Sequence, residues 1–223
     1  MKNLKTTLWI ILLIGIWSCV EKEPAEEQIT FLVTTNVRGQ LDPCGWKANP
    51  LGGLPRRATY ISEVKDSGVD PILLDAGDAL FENYYLINGK VASSKLKAKT
   101  ILESTAKMGD YIYNVGYQDL AAGFEFIKEM EASYGTQYVS SNILKSGTDE
   151  LAFNPHKIIK RGELNIGIFG LTTKLPSSVN AITVKDYIQT AKEKIAELRP
   201  QVDVLVMLLN STRIQNIDAT NAF

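Results

Sequence analysis

Seven short apolar runs alternate along this chain with segments of helical spacing, and that alternation restricts the fold more than any single residue does. Runs suited to strands lie at 29–34, 71–75, 111–115, 137–140, 156–160, 164–170 and 202–209. Between them, 54–66, 93–108, 119–133 and 184–199 place apolar residues three and four positions apart, as Ile188, Ala191, Ile195 and Leu198 do. The pattern predicts an α/β fold, a layered sheet with flanking helices. Residues 144–155 are polar, with Gly147 and Pro155, and read as a surface excursion.

Three of the runs feed loops rich in Gly and polar residues: Thr34-Thr35-Asn36-Val37-Arg38-Gly39, Leu74-Asp75-Ala76-Gly77-Asp78, and Asn114-Val115-Gly116-Tyr117-Gln118-Asp119. Loops at the carboxyl end of a parallel sheet are where such folds keep their sites. Further along come Gly52-Gly53-Leu54-Pro55-Arg56-Arg57, Ser140-Ser141-Asn142 and Gly167-Ile168-Phe169-Gly170.

Taken in order, these segments resemble the amino-terminal, calcineurin-like metallophosphoesterase domain of the 5'-nucleotidase family, from about Ile29 to the run at 202–209. The family's order is Thr-Asn-Asp-x-His-Gly, Asp-Ala-Gly-Asp, then Gly-Asn-His-Glu. The resemblance implies a two-metal hydrolase scaffold and divalent metal ions as its cofactor. It also shows where this chain departs. Asn36 stands at a ligand Asp, Arg38 at a His, Tyr117 at a ligand Asn, Gln118 at the His that assists phosphoryl chemistry, and Ser211 at a further ligand His. Asp78, matching the metal-bridging carboxylate, is the one ligand retained. A two-metal site clamps the attacking and leaving oxygens and acidifies a bound water, which takes several anionic or imidazole ligands. With His156 the single histidine of the chain, the usual site cannot be built, and a permanent cation at Arg38 repels a metal ion. Metal ions are therefore implied by the family and opposed by the residues.

With 223 residues, 45% of them hydrophobic, and a net charge of −1, the chain can bury one sizeable core and carries no electrostatic footprint for a nucleic acid polymer. Residues 1–19 read as a leader: Lys2 and Lys5, then an apolar stretch too short for an ordinary membrane span, then Ser18-Cys19. Ile16-Trp17-Ser18-Cys19 resembles a bacterial lipobox, which implies lipidation of Cys19 and an exported, membrane-anchored lipoprotein of the cell envelope. The alternative is a plain secretory signal with a chance cysteine. Residues 20–28 are polar and Pro-containing, a tether ahead of a domain at 29–223. The family's domain continues past the last apolar run, so the sequence is expected either to be a fragment or to be naturally shortened. The fragment is favoured, because an unclosed sheet leaves an open edge.

Cys44 is the other cysteine, in Leu41-Asp42-Pro43-Cys44-Gly45-Trp46, close in sequence to Arg38, Lys47, Arg56 and Arg57. The loop resembles that of a subgroup carrying Cys-Gly-Cys or a selenocysteine version, with Trp46 at the second position. Cys44 is either a reactive thiol or a small buried loop residue. Arg38 is a candidate to hold an anion directly where the family holds metal, and Arg56 and Arg57 either hold a phosphate at a helix start or lie on a solvated face. Asp75 and Asp78 read as a carboxylate pair or as caps, Asp119 as a helix N-cap, and His156 as structural or solvent-exposed. Three functions follow in order of expectation. The first is a metallophosphoesterase-like protein with a degenerate site that binds a small, phosphorylated or other ligand. The second is a thiol-dependent redox protein using Cys44, and the third an atypical phosphoester hydrolase.

Overall fold

The computed structural model describes residues 28–45 and 51–211. The leader with Cys19, the tether up to residue 27, Trp46, Lys47 and residues 212–223 lie outside them. In chain order the elements are β1 (Phe31–Thr34), α1 (Leu54–Asp66), β2 (Ile72–Asp75), α2 (Val91–Met108), β3 (Tyr111–Asn114), α3 (Phe124–Tyr134), β4 (Gln137–Val139), β5 (Ile143–Lys145), β6 (His156–Arg161), β7 (Leu164–Thr172), β8 (Ile182–Val184), α4 (Tyr187–Leu198) and β9 (Val204–Asn210). Two short 3-10 turns, Asp119–Ala122 and Arg199–Gln201, complete them.

The expected α/β layering is present, and its strands divide between two main sheets. The first, ordered β1-β2-β3-β4, is parallel throughout. The second, β6-β7-β9, joins an antiparallel hairpin to a parallel strand, and β5 pairs β8 as a small antiparallel ribbon.

Side-chain alternation explains why two sheets stack. In β2 and β3 successive residues point to opposite faces, so Ile72, Leu74 and Ile112 face one way and Leu73, Tyr111 and Tyr113 the other. The first set packs with Ile166, Ile168 and Leu208 of the second sheet. The other set packs on Leu54, Ile61, Ile101, Leu102, Phe126 and Ile127 of α1, α2 and α3. Phe169 and Leu171, on the far face of β7, pack on Ala191 and Leu198 of α4. The layers therefore run helix, sheet, sheet, helix. Both faces of the central strands are covered, which is why their sequences read as continuous apolar runs.

Some sequence expectations are corrected. The helix expected at 119–133 is interrupted by Gly123 at φ 91°, leaving a 3-10 turn before α3. The helix expected from 184 starts at Tyr187, because the Asp186 side chain accepts the Gln189 N–H at 2.7 Å and caps it, while Val184 belongs to β8. Residues 144–155 are not simply a surface excursion: Leu144, Ala152 and Phe153 are buried, and Phe153 stands edge-on to Phe124 in the core. Three-residue strands such as β5 and β8 are too short to show a period.

Candidate functional site

β1, β2 and β3 run side by side in register, with Thr34 opposite Asp75 and Asp75 opposite Tyr113, so the three loops leave the sheet at the same level. The first and second loops are zipped together by their backbones. Asn36 N–H donates to the Gly77 carbonyl at 3.0 Å, Arg38 N–H to Asp78 at 2.9 Å and Gly39 N–H to Ala79 at 2.9 Å. Asp75, at the end of β2, accepts the Thr34 hydroxyl at 2.6 Å and the Gly77 N–H at 2.8 Å, closing the turn from below.

The third loop is locked onto the second by Asp119. Its carboxylate accepts the N–H groups of Asp78 at 2.9 Å, Leu80 at 2.8 Å and Gly116 at 2.8 Å. In return, Asp78 Oδ1 accepts the Gln118 N–H at 2.7 Å. The Asn210 side chain at the end of β9 accepts the Tyr117 N–H at 3.0 Å and brings the second sheet to the same edge. Ser211 follows it there, half-buried. The loops approach so closely that a Cβ on Gly116 would stand 2.1 Å from the Asp78 nitrogen.

Three side-chain-bearing residues of the described chain take positive φ: Asn36 at 52°, Arg38 at 53° and Asp78 at 61°. All three are positions that the sequence singles out. A left-handed conformation costs a residue with a Cβ about 1–2 kcal/mol, and Asn and Asp tolerate it better than Arg. The bonds from Asn36 and Arg38 to the second loop are what hold that conformation.

Burial raises two of the carboxyls. Asp119 is pushed up to about 7, first by desolvation and then by the neighbouring Asp78 and Asp75, against the pull of its backbone N–H partners. Asp75 rises to about 6, mainly through desolvation, while the Thr34 hydroxyl, Gly77 N–H and Arg57 guanidinium act to lower it. Asp119 is thus not an N-cap: Gln118 precedes the turn, and the Asp119 carboxylate is spent on the adjacent loop. Sequence reading missed this role, because two of its three partners, Asp78 and Leu80, lie about forty residues away; a carboxylate next to a Gly-rich loop was the available signal.

The structure brings Asn36, Arg38, Asp78, Tyr117, Gln118 and Ser211 to one edge and sends other expected residues elsewhere. Gln118 turns its amide nitrogen to the Phe81 and Glu82 carbonyls, 2.9 Å from each. Arg57 lies close enough to Asp75 and the Tyr111 hydroxyl to act on both toward a lower pKa, while Arg56 is exposed on α1. Cys44 is free and exposed, bridged through its backbone to Leu51, so the reading of a buried loop residue is overturned. His156 is half-buried on β6, its Nδ1 4.0 Å from Glu197, far along the chain from the loops. Burial and Lys194 lower its pKa, against the pull of Glu197. Tyr117 lies at the rim with Tyr84 at 5.2 Å between ring centroids, and Lys174 stands 4.5 Å over its ring.

Comparison with known proteins bears out the resemblance. The chain is 26% identical over 180 residues to a 2',3'-cyclic-nucleotide 2'-phosphodiesterase/3'-nucleotidase of Yersinia enterocolitica, covering 70% of this chain and 26% of that protein. It is 26% identical over 181 residues to the snake venom 5'-nucleotidase of Gloydius brevicauda, covering 74% and 29%. The chain therefore spans between a quarter and a third of the length of these curated relatives. The crystal structure of a 5'-nucleotidase precursor from Thermus thermophilus superposes with a TM-score of 0.67 at 20% identity, over 86% of this chain and 38% of that one, a likeness of fold. No family model matches the chain.

Proposed function

We propose that this 5'-nucleotidase-like metallophosphoesterase domain has exchanged the metal centre for a pocket that binds a small, phosphorylated ligand without hydrolysing it. The observation that supports this reading best is the donor set at the strand-end loops. Asn36, Arg38, Tyr117, Gln118 and Ser211 stand at the ligand positions, and Asp78 is the one carboxylate among them. The residues do not fit a two-metal group. Asp78 Oδ1 already accepts a backbone N–H, the Asp75 and Asp119 carboxylates are engaged by the loops they brace, and Arg38 adds a fixed positive charge. Among the described residues no group of three or more His, Cys, Asp or Glu is placed to hold a metal ion. What the loops do offer an anion is a guanidinium, which pairs with phosphate oxygens in a fork.

In the same reading Cys19 carries a lipid, and the domain works at the surface of a bacterial envelope membrane. The supporting feature is the cationic, apolar, small-residue-Cys order of the leader.

The test is metal analysis of the purified full chain, together with phosphate release from a nucleoside monophosphate in the presence of Mn²⁺, Zn²⁺ or Mg²⁺. The expected result is less than one metal per chain and release no faster than in the protein-free control. Stoichiometric metal with turnover would overturn the reading.

A further inference from the structure

A cavity of ≈ 130 Å³ opens beside the second loop, outside the ligand positions apart from Arg38. Its wall carries Arg38, Lys90, Lys97, Ser93, Ser94 and Glu82. Positions 90, 93, 94 and 97 follow the spacing of one helix face, so the entry to α2 presents a Lys-Ser-Ser-Lys stripe. Arg38 reaches the same space from the first loop, held there by its left-handed backbone. Among the described residues Arg38, Lys90 and Lys97 form no ion pair, and Glu82 is the one acidic side chain in the wall. Three like charges facing one small space repel one another, a cost that an anion between them would reverse.

We infer that this cavity is a site for a small tetrahedral oxyanion of the phosphate or sulfate class. Size supports the class: the space is several times what a single water needs, enough for a phosphate group. The hydroxyl of Ser94 and the ammonium groups of Lys90 and Lys97 supply donors, and the Arg38 guanidinium supplies a fork. Tyr85 lies on the wall and stands edge-on to Tyr84 at 5.1 Å, which in turn meets Tyr117 at 5.2 Å. Exposed rings therefore lead from the cavity to the third loop and provide a surface for a planar group attached to the anion.

Titration calorimetry of the full chain with inorganic phosphate, with sulfate, and with chloride at matched ionic strength tests the site. Saturable heat with phosphate and sulfate but not chloride is expected. Lys90→Gln with Lys97→Gln, both exposed and without ion pairs, should weaken phosphate binding about tenfold or more while leaving the melting temperature in chloride unchanged. A parallel titration with phenyl phosphate identifies the source: tighter binding than phosphate assigns a phosphomonoester with a planar group, and equal binding a free oxyanion. Equal phosphate affinity in the lysine variant and the parent, or no binding beyond chloride, would overturn the inference. Metal content and turnover are measured independently, so the cavity can fail while the metal-free half of the proposed function stands, and the reverse; Arg38 as the anion donor is common to both.

Discussion

The Asp119 carboxylate accepts the Asp78 N–H at 2.9 Å, and this bond, with its companion from Leu80, is what fastens the third loop to the second, while the Gly116 N–H closes the third loop on the same carboxylate. Asp78 takes φ 61° at the same place. The left-handed turn is thus held by a buried acid from the third loop rather than by its own sequence.

Asp119→Asn should therefore destabilise the whole edge. An amide presents an NH₂ to donors that faced an oxygen, and a buried donor left without a partner costs about 1–3 kcal/mol. A loss in that range is expected from urea unfolding at neutral pH. A change below about 0.5 kcal/mol, the size of an ordinary surface substitution, would refute the bracing role.

The same acid gives stability a pH dependence. Folding raises Asp119 to about 7 and Asp75 to about 6 from an ordinary 3.8, so between those values the folded chain binds more protons than the unfolded one. Stability from these two groups is full below about pH 4 and declines as pH rises toward 7. His156, lowered from 6.5, acts in the opposite sense, its contribution growing as pH rises to its ordinary value. Urea midpoints across this range should fall with rising pH, and Asp119→Asn should flatten the fall. A parent profile that rises steadily with pH would contradict the expectation.

Steric crowding and backbone conformation can be separated at two glycines. A Cβ at position 116 would lie 2.1 Å from the Asp78 nitrogen, whereas one at Gly135, φ +62°, meets nothing within 4 Å. Gly116→Ala is expected to cost about 3 kcal/mol or more, or to prevent folding, while Gly135→Ala costs about 1–2 kcal/mol. Comparable thermal shifts for the two would show that the loops are not in the close contact described.

Arg38→Gly should relax the positive φ. Gly adopts that conformation freely but loses more entropy on folding, so stability should hold or rise by up to about 1 kcal/mol while phosphate binding weakens. A clear drop in melting temperature would mean that the Arg38 side chain, not its backbone strain, governs the first loop.

Cys44 is exposed and should react fully with a thiol reagent in the folded protein. A protected thiol, reacting only after denaturation, would reinstate the buried reading and end the thiol-redox alternative.

Sequence periodicity was enough for the α/β class, since strands covered on both faces are apolar throughout and helices show their stripe, as α1 does at Leu54–Asp66. It was also enough to order the loops and to place Asn36, Arg38 and Asp78 among them, because strand ends and glycines are local signals. What it could not reveal was the division into two sheets, the core position of Phe153, or the direction in which Arg57 and Gln118 turn. These depend on contacts between residues far apart in the chain, such as Tyr117 with Asn210 across ninety-three positions. Local pattern decides which face of an element is apolar. Only the packed structure decides which distant carboxylate satisfies a loop's backbone, and hence which residues of the edge are left free to meet a ligand.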